Sequence, residues 1–205
     1  MKYLLEHEVG FDNEVLGFPS IQGCHAVVYQ TDIGLFGFHV AGNSGDDRWV
    51  PSARIFAQFV NGIAGGMPRG IRLYGATFVG NNARGYSVTA FNLKQYRAKW
   101  KSELIAYASA LGYAGKISGY DLHKSFAGEA TSAYVEFRAQ NNKSDLYVRQ
   151  WRHNEHAPKQ ANPDGARHKV KEGRSLENQG LTNLANVVSA IGAGVLNNVS
   201  KEKLR

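Results

Sequence analysis

The sequence predicts an α/β fold: an α/β sandwich of mixed β-strands flanked by about two helices, with a C-terminal helical tail. Three observations carry that expectation. Short runs rich in β-branched and aromatic residues recur along the first three quarters of the chain, separated by turns bearing Gly, Asn and Asp. Two longer segments instead space their apolar residues helically. Beyond Trp151 the chain turns polar and basic before a last apolar stripe.

Each element has its own signal. Tyr3–Val9 reads as a first short strand, followed by a loop containing Gly10, Asp12, Asn13 and Gly17-Phe18-Pro19. Cys24–Gln30 and Leu35–Ala41 read as strands joined by the turn Thr31-Asp-Ile-Gly34, a hairpin. Pro51 opens a helix to about Gly62, with Ile55, Phe56, Phe59 and Ile63 on one stripe. Strands are expected at Ile71–Val79 and Tyr86–Phe91. Asn92 then starts the clearest helix, with Gln95 completing a capping-box pattern. Leu93, Tyr96, Trp100, Leu104, Tyr107 and Leu111 follow helical spacing, and Gly112 ends it. Strands are expected again at Lys116–Asp121, Ala133–Arg138 and Leu146–Trp151. These observations divide the chain into a domain over 1–151 and a basic linker with a helical tail over 152–205. In that tail, residues 176–199 carry Leu181, Leu184, Val188, Ile191 and Val195 on one helical face.

Composition narrows the function classes. Apolar residues make up 43% of the 205, enough for a packed core and too many for global disorder. A single cysteine excludes an internal disulfide. The first residues contain no apolar run of signal-peptide length, so export, if any, is expected without a classical signal. The longest uncharged stretch, Asn178 to Ser200, holds five asparagines and makes a poor membrane span. Residues 1–148 contain 14 Lys/Arg and 12 Asp/Glu, whereas residues 149–205 contain 10 and 5. The basic excess therefore sits in the tail, where it would attract an acidic partner. Its charges are spread out around one aromatic, Trp151, a poor pattern for nucleic acid. A monomer is expected, with no metal and no cofactor. The histidines His153, His156 and His168 form no convincing ligand set, and neither Gly62–Gly70 nor Gly80–Gly85 matches a phosphate or dinucleotide loop.

The chemistry centres on Cys24 and His39. A lone thiol is either a buried small hydrophobe or a reactive group. Here a hairpin turn centred near Asp32 would set Cys24 opposite His39, thiol beside imidazole. An adjacent imidazolium stabilises a thiolate, which is the nucleophilic form. Gly23 allows close approach of the chain just before Cys24, whose own amide could serve a developing oxyanion. His25 must point to the opposite face and reads as a packing residue.

Gly23-Cys24 leading into an apolar strand, a glycine turn and Phe38-His39-Val40-Ala41 resembles the Cys–His motif of the bacterial glutamine deamidases. These include the chemoreceptor deamidases, the catalytic domain of the cytotoxic necrotizing factors and a Burkholderia-type lethal factor. Arg72-Leu-Tyr-Gly-Ala76 is similar to a later strand of that family. The order of elements continues over roughly residues 15–150. The resemblance implies a thiol hydrolase that converts a glutamine of a protein substrate to glutamate, with Cys24 as nucleophile and His39 as base. Some members place a threonine six residues before the cysteine; here that position is Phe18, with Ser20 nearby as a substitute. Toxin members use a backbone carbonyl as the third group instead. The implied setting is a bacterial toxin or effector delivered into a target cell, or alternatively a cytoplasmic regulator of chemoreceptors. Transglutamination is a related outcome, and a catalytically inactive binding module is the competing class. Trp49 with Asp46-Asp47 would border the substrate entrance, or form a plain loop.

Overall fold

The computed structural model describes residues 2–42, 46–80, 86, 92–126, 132–151, 168–169, 197–198 and 202–205. The chain begins with β1 (Lys2–Tyr3), β2 (Glu8–Asp12), β3 (Val15–Ile21), β4 (His25–Thr31) and β5 (Gly34–Val40). Next come α1 (Trp49–Ala64), β6 (Gly70–Thr77), α2 (Leu93–Ala110) and β7 (Ile117–Asp121). The one-turn α3 (Leu122–Ser125), β8 (Ala133–Gln140) and β9 (Lys143–Gln150) follow. Three two-residue strands, β10 (His168–Lys169), β11 (Asn197–Asn198) and β12 (Glu202–Lys203), come from the C-terminal quarter. The architecture is an α/β sandwich. One sheet has the order β1-β3-β8-β9-β11 and the other β10-β2-β5-β4-β6-β7-β12.

The larger sheet is the middle layer. Its β4 and β5 are buried at every position, because something covers each face. Ala26 and Val28 pack with Leu16, Phe18, Val135, Phe137 and Leu146 of the smaller sheet. Val27 and Tyr29 pack on the other face with Phe56 and Phe59 of α1 and Trp100 and Tyr107 of α2. Strand alternation sends successive side chains into these two cores. Each fully buried large apolar side chain contributes about 1.5–3 kcal/mol by leaving water, so the two-sided burial fixes the register of the central strands.

The local reasons are legible. Asn92 caps α2, its side-chain oxygen accepting from the Lys94 and Gln95 amides. Gly112 follows with φ of 61°, the left-handed stop expected there. α1 begins two residues before Pro51, which occupies the first turn where its missing N–H costs nothing. Ile63, expected on its apolar stripe, is instead exposed.

Two expectations need correction. The segment Tyr3–Val9 is not one strand, since His7 adopts φ of 69° and a turn separates β1 from β2. The loop expected around Gly17-Phe18-Pro19 contains β3. Asp12 accepts hydrogen bonds from the Glu14 and Val15 amides, tightening a β2–β3 turn. Pro19 falls inside a bulge between Phe18 and Ile21, where the ladder does not need its amide. The strand expected at Tyr86–Phe91 lies outside the described residues except for Tyr86, which is buried.

The tail also differs. Asn197–Asn198, inside the stretch expected as helix, pairs with β9 as a strand; the stripe from Leu181 to Val195 lies outside the described residues. β10 and β12 pair with β2 and β7. Leu204 packs against the helix-side core, and the Arg205 guanidinium donates to the carbonyls of Tyr113 and Gly115. Residue 151 thus marks a change of composition rather than the end of sheet pairing. Among the described residues, no helix is long and apolar enough to cross a membrane.

The buried phenols make the fold sensitive to alkali. Burial, with smaller contributions from Tyr113 and Asp32, pushes Tyr29 up to about 12. Burial likewise raises Tyr120 and Tyr134. Above about pH 10 the unfolded chain loses phenolic protons that the folded chain retains, so stability falls as pH rises from about 10 towards 12. Urea midpoints should hold to about pH 9 and then drop; a midpoint unchanged through about pH 11 would contradict this burial.

Candidate functional site

The hairpin β4–β5 turns on Asp32-Ile33, with Thr31 paired to Gly34. The Thr31 hydroxyl donates to the Gly34 carbonyl and accepts from the Ile33 amide, closing the turn. This places the turn slightly further along than a centre at Asp32. The partner of His39 is therefore Ala26, and Cys24 lies two residues before Ala26. The shift is an even number of residues, so the face is conserved. Cys24 and His39 both point into the space between the two sheets, as diagonal rather than direct neighbours.

His39 is 1% exposed and Cys24 8%, so the thiol is the more accessible of the two. The His39 Nδ1 lies 2.7 Å from the Leu4 carbonyl oxygen. A carbonyl only accepts, so Nδ1 carries the proton, and Nε2 is the basic nitrogen of the neutral ring. The Phe18 ring meets the imidazole edge-on, with centroids 6.1 Å apart. Phe18, six residues before Cys24, thus meets the histidine by packing. Ser20 does not join the pair: it is exposed, at φ of 58°, in the bulge of β3. The bulge re-aims its side chain towards solvent. The group that His39 Nδ1 meets is the Leu4 main-chain carbonyl.

The segment that supplies Leu4 wraps over the pair. The Leu4 amide donates to the Gly17 carbonyl, and the His7 amide to the His39 carbonyl. Between them, Glu6 is exposed. Its Oε1 accepts from the Cys24 thiol at 3.5 Å and from the Gly42 amide at 3.3 Å.

Two further contacts fix the backbone of Cys24. The Thr77 hydroxyl, at the end of β6, donates to the Cys24 carbonyl at 2.8 Å. One residue on, His25 points to the helix side, as strand alternation requires. Its Nε2 accepts from the Trp100 indole at 3.1 Å, and its Nδ1 faces Glu103 Oε1 at 3.1 Å. The Tyr86 hydroxyl donates to the other Glu103 oxygen. His25 and Glu103 are fully buried, so this chain of bonds anchors the start of β4 to α2.

The remaining candidates fall elsewhere. Trp49 is buried against Tyr86, and Asp46 pairs with Lys99, whose ammonium also lies over the Trp49 ring. They belong to the junction of the two helices rather than to an entrance over Cys24. Nothing is described of the side chain of Asp47, and His153 and His156 lie outside the described residues. Among the described residues, no group of three or more His, Cys, Asp or Glu is placed to hold a metal. A cleft of about 530 Å³, lined by Gln30, Asp32, Arg69 and Asn141 among others, opens at the turn end of the hairpin. Gln30, the lining residue of β4 nearest Cys24 along the strand, is six residues from it, roughly 20 Å.

Sequence reasoning missed Leu4, Glu6, Thr77 and the partners of His25. A main-chain carbonyl leaves no signal in residue identity. Glu103, by contrast, was detectable: it is an acid three residues after Trp100 and four before Tyr107, on the apolar stripe of α2. No family model matches the chain, and no curated protein sequence matches it.

Gly75 in the Arg72–Ala76 segment has a physical reason. A Cβ there would lie 2.4 Å from His25 Nε2 and 2.8 Å from Leu104 Cδ1. Gly75→Ala should therefore cost about 1–3 kcal/mol by overpacking. Denaturant unfolding reads this; a neutral result would mean that the His25–Trp100 contact yields without loss.

Proposed function

We propose that the chain is a cysteine-dependent protein-glutamine deamidase, with Cys24 as nucleophile and His39 as general base and acid. The supporting observation is the bond between His39 Nδ1 and the Leu4 carbonyl, which selects the tautomer a thiol partner needs, on the face that carries Cys24. In this reading the thiol proton passes to His39 Nε2 as sulfur attacks the side-chain carbonyl carbon of a glutamine. The C–N bond breaks, His39 protonates the departing ammonia, and a thioester remains. Water, deprotonated by His39, then releases glutamate and the free thiol. The Thr77 hydroxyl holds the Cys24 peptide, so the sulfur and its own amide keep one geometry through both steps.

The substrate class, a glutamine on a protein, comes from the Gly23-Cys24 and Phe38-His39 resemblance. The basic C-terminal quarter supports an effector that meets an acidic partner, acting inside a target cell. The burial of the thiol favours the second reading, an inactive binding module, and thiol chemistry separates the two.

Cys24→Ser should fold normally and lose activity, because one imidazole activates a hydroxyl poorly. His39→Ala should lower the rate on the order of 10²-fold or more. The assay is mass spectrometry of candidate target proteins for the roughly one-dalton gain of amide hydrolysis. A Cys24→Ser protein that still produced this gain would overturn the mechanism.

A further inference from the structure

We infer that Glu6 is a specificity-determining residue that admits a neutral carboxamide to Cys24 and rejects a carboxylate. The inference rests on the deamidase reading of Cys24 and His39 and names how that site tells substrate from product. Glu6 sits in the exposed turn between β1 and β2, and its carboxylate reaches the sulfur and the Gly42 amide together. The two contacts fix an acceptor-only group beside the reacting atom.

Such a group matches one end of the reaction and opposes the other. A primary amide presents an NH2 with two donors, which a carboxylate oxygen accepts. The product of hydrolysis presents a second carboxylate, and two like charges a few ångströms apart repel. Glutamine is therefore drawn in and glutamate expelled by the same oxygen. The same charge opposes thiolate formation in the empty site, where the S–H donates to Glu6. When a carboxamide takes over the carboxylate, the thiol proton is left to His39, whose Nδ1 is already engaged by Leu4. Ionisation of sulfur is thereby tied to occupancy by an amide. This accounts for an acid beside a nucleophile that would otherwise be served better by a neutral neighbour.

The test uses the full chain and two small reagents that differ in the same way as substrate and product. Iodoacetamide is a neutral carboxamide and iodoacetate a carboxylate; each alkylates the single cysteine, with Cys24→Ser as the blank. Wild type should prefer iodoacetamide about tenfold more than a free small thiol does, the scale of a charge contact a few ångströms away. Glu6→Gln should bring that preference down to the small-thiol value and speed both reactions. Glu6→Lys should reverse it. Glu6 is exposed, so circular dichroism should show all three folded. The same preference in wild type and both variants would overturn the inference, as would a thiol inert to both reagents in all three. Selectivity set by Glu6 with no target glutamine converted would retire the deamidase reading alone. Conversion of a glutamine with unchanged selectivity would retire the role of Glu6 alone.

Discussion

The site depends on a hydrogen bond that no residue identity encodes. The Leu4 carbonyl accepts a hydrogen bond from His39 Nδ1 at 2.7 Å. Without an acceptor there, the imidazole is free to hold its proton on either nitrogen, and only one tautomer can take a proton from sulfur through Nε2. The main chain provides that acceptor because the N-terminal segment crosses over β5 instead of continuing as a strand. The left-handed His7 ends the crossing, and the Leu4 and His7 amides pin it at Gly17 and His39. Gly37 lets it come close: a Cβ on Gly37 would lie 2.8 Å from both Leu4 and Leu16. The tautomer of one histidine thus follows from a glycine two residues earlier and a turn at the start of the chain.

A second constraint is the burial of the larger sheet on both faces. Cys24 and His25 are consecutive, so they must enter different cores. Cys24 meets the smaller sheet and Glu6, while His25 meets α2. The buried hydrogen bond from Trp100 and the close approach of Glu103 oppose sliding on the helix side. A slip of one residue would exchange the two side chains, burying the thiol under α2 and stranding Glu103 and the Trp100 indole without their partner. The network on the far face is in this sense what holds the thiol on its own face.

This division also explains what the sequence revealed and what it concealed. The hairpin, α1, α2 and the strands β6 to β9 follow from periodicity and turn residues, and these set the sandwich. The Cys24–His39 register was two residues off because the turn sits at Asp32-Ile33, yet an even shift preserves the face. β3 was hidden by Gly17, Pro19 and Ser20, residues that signal a loop until a bulge accommodates them. Ser20 stands near the position where the resembled family carries a threonine, and the same bulge turns it outwards. Short edge strands such as β10, β11 and β12 have too few residues for any period to show, so the tail read as separate from the core. What pattern conveys is which residues share a face; what it omits is the main chain and the crossing of distant segments.

The opposed charges around the sulfur follow from the same geometry. A cysteine buried between two sheets is normally inert, because a thiolate there has lost its water. His39 offsets that cost only when protonated, and Glu6 adds to it whenever ionised. Glu6 is exposed and accepts from the Cys24 thiol, whereas His39 is buried on the same face of the sheet; on the proposed reading the first keeps the sulfur neutral and the second ionises it. In the proposed mechanism, occupancy of the exposed side decides whether Glu6 or His39 prevails. On the proposed reading the empty site keeps the sulfur as a thiol, which oxidants attack less readily than a thiolate. On that reading its reactivity is reserved for a group that can satisfy the Glu6 carboxylate, and burial, usually an argument against a catalytic cysteine, would become part of how the site distinguishes its substrate.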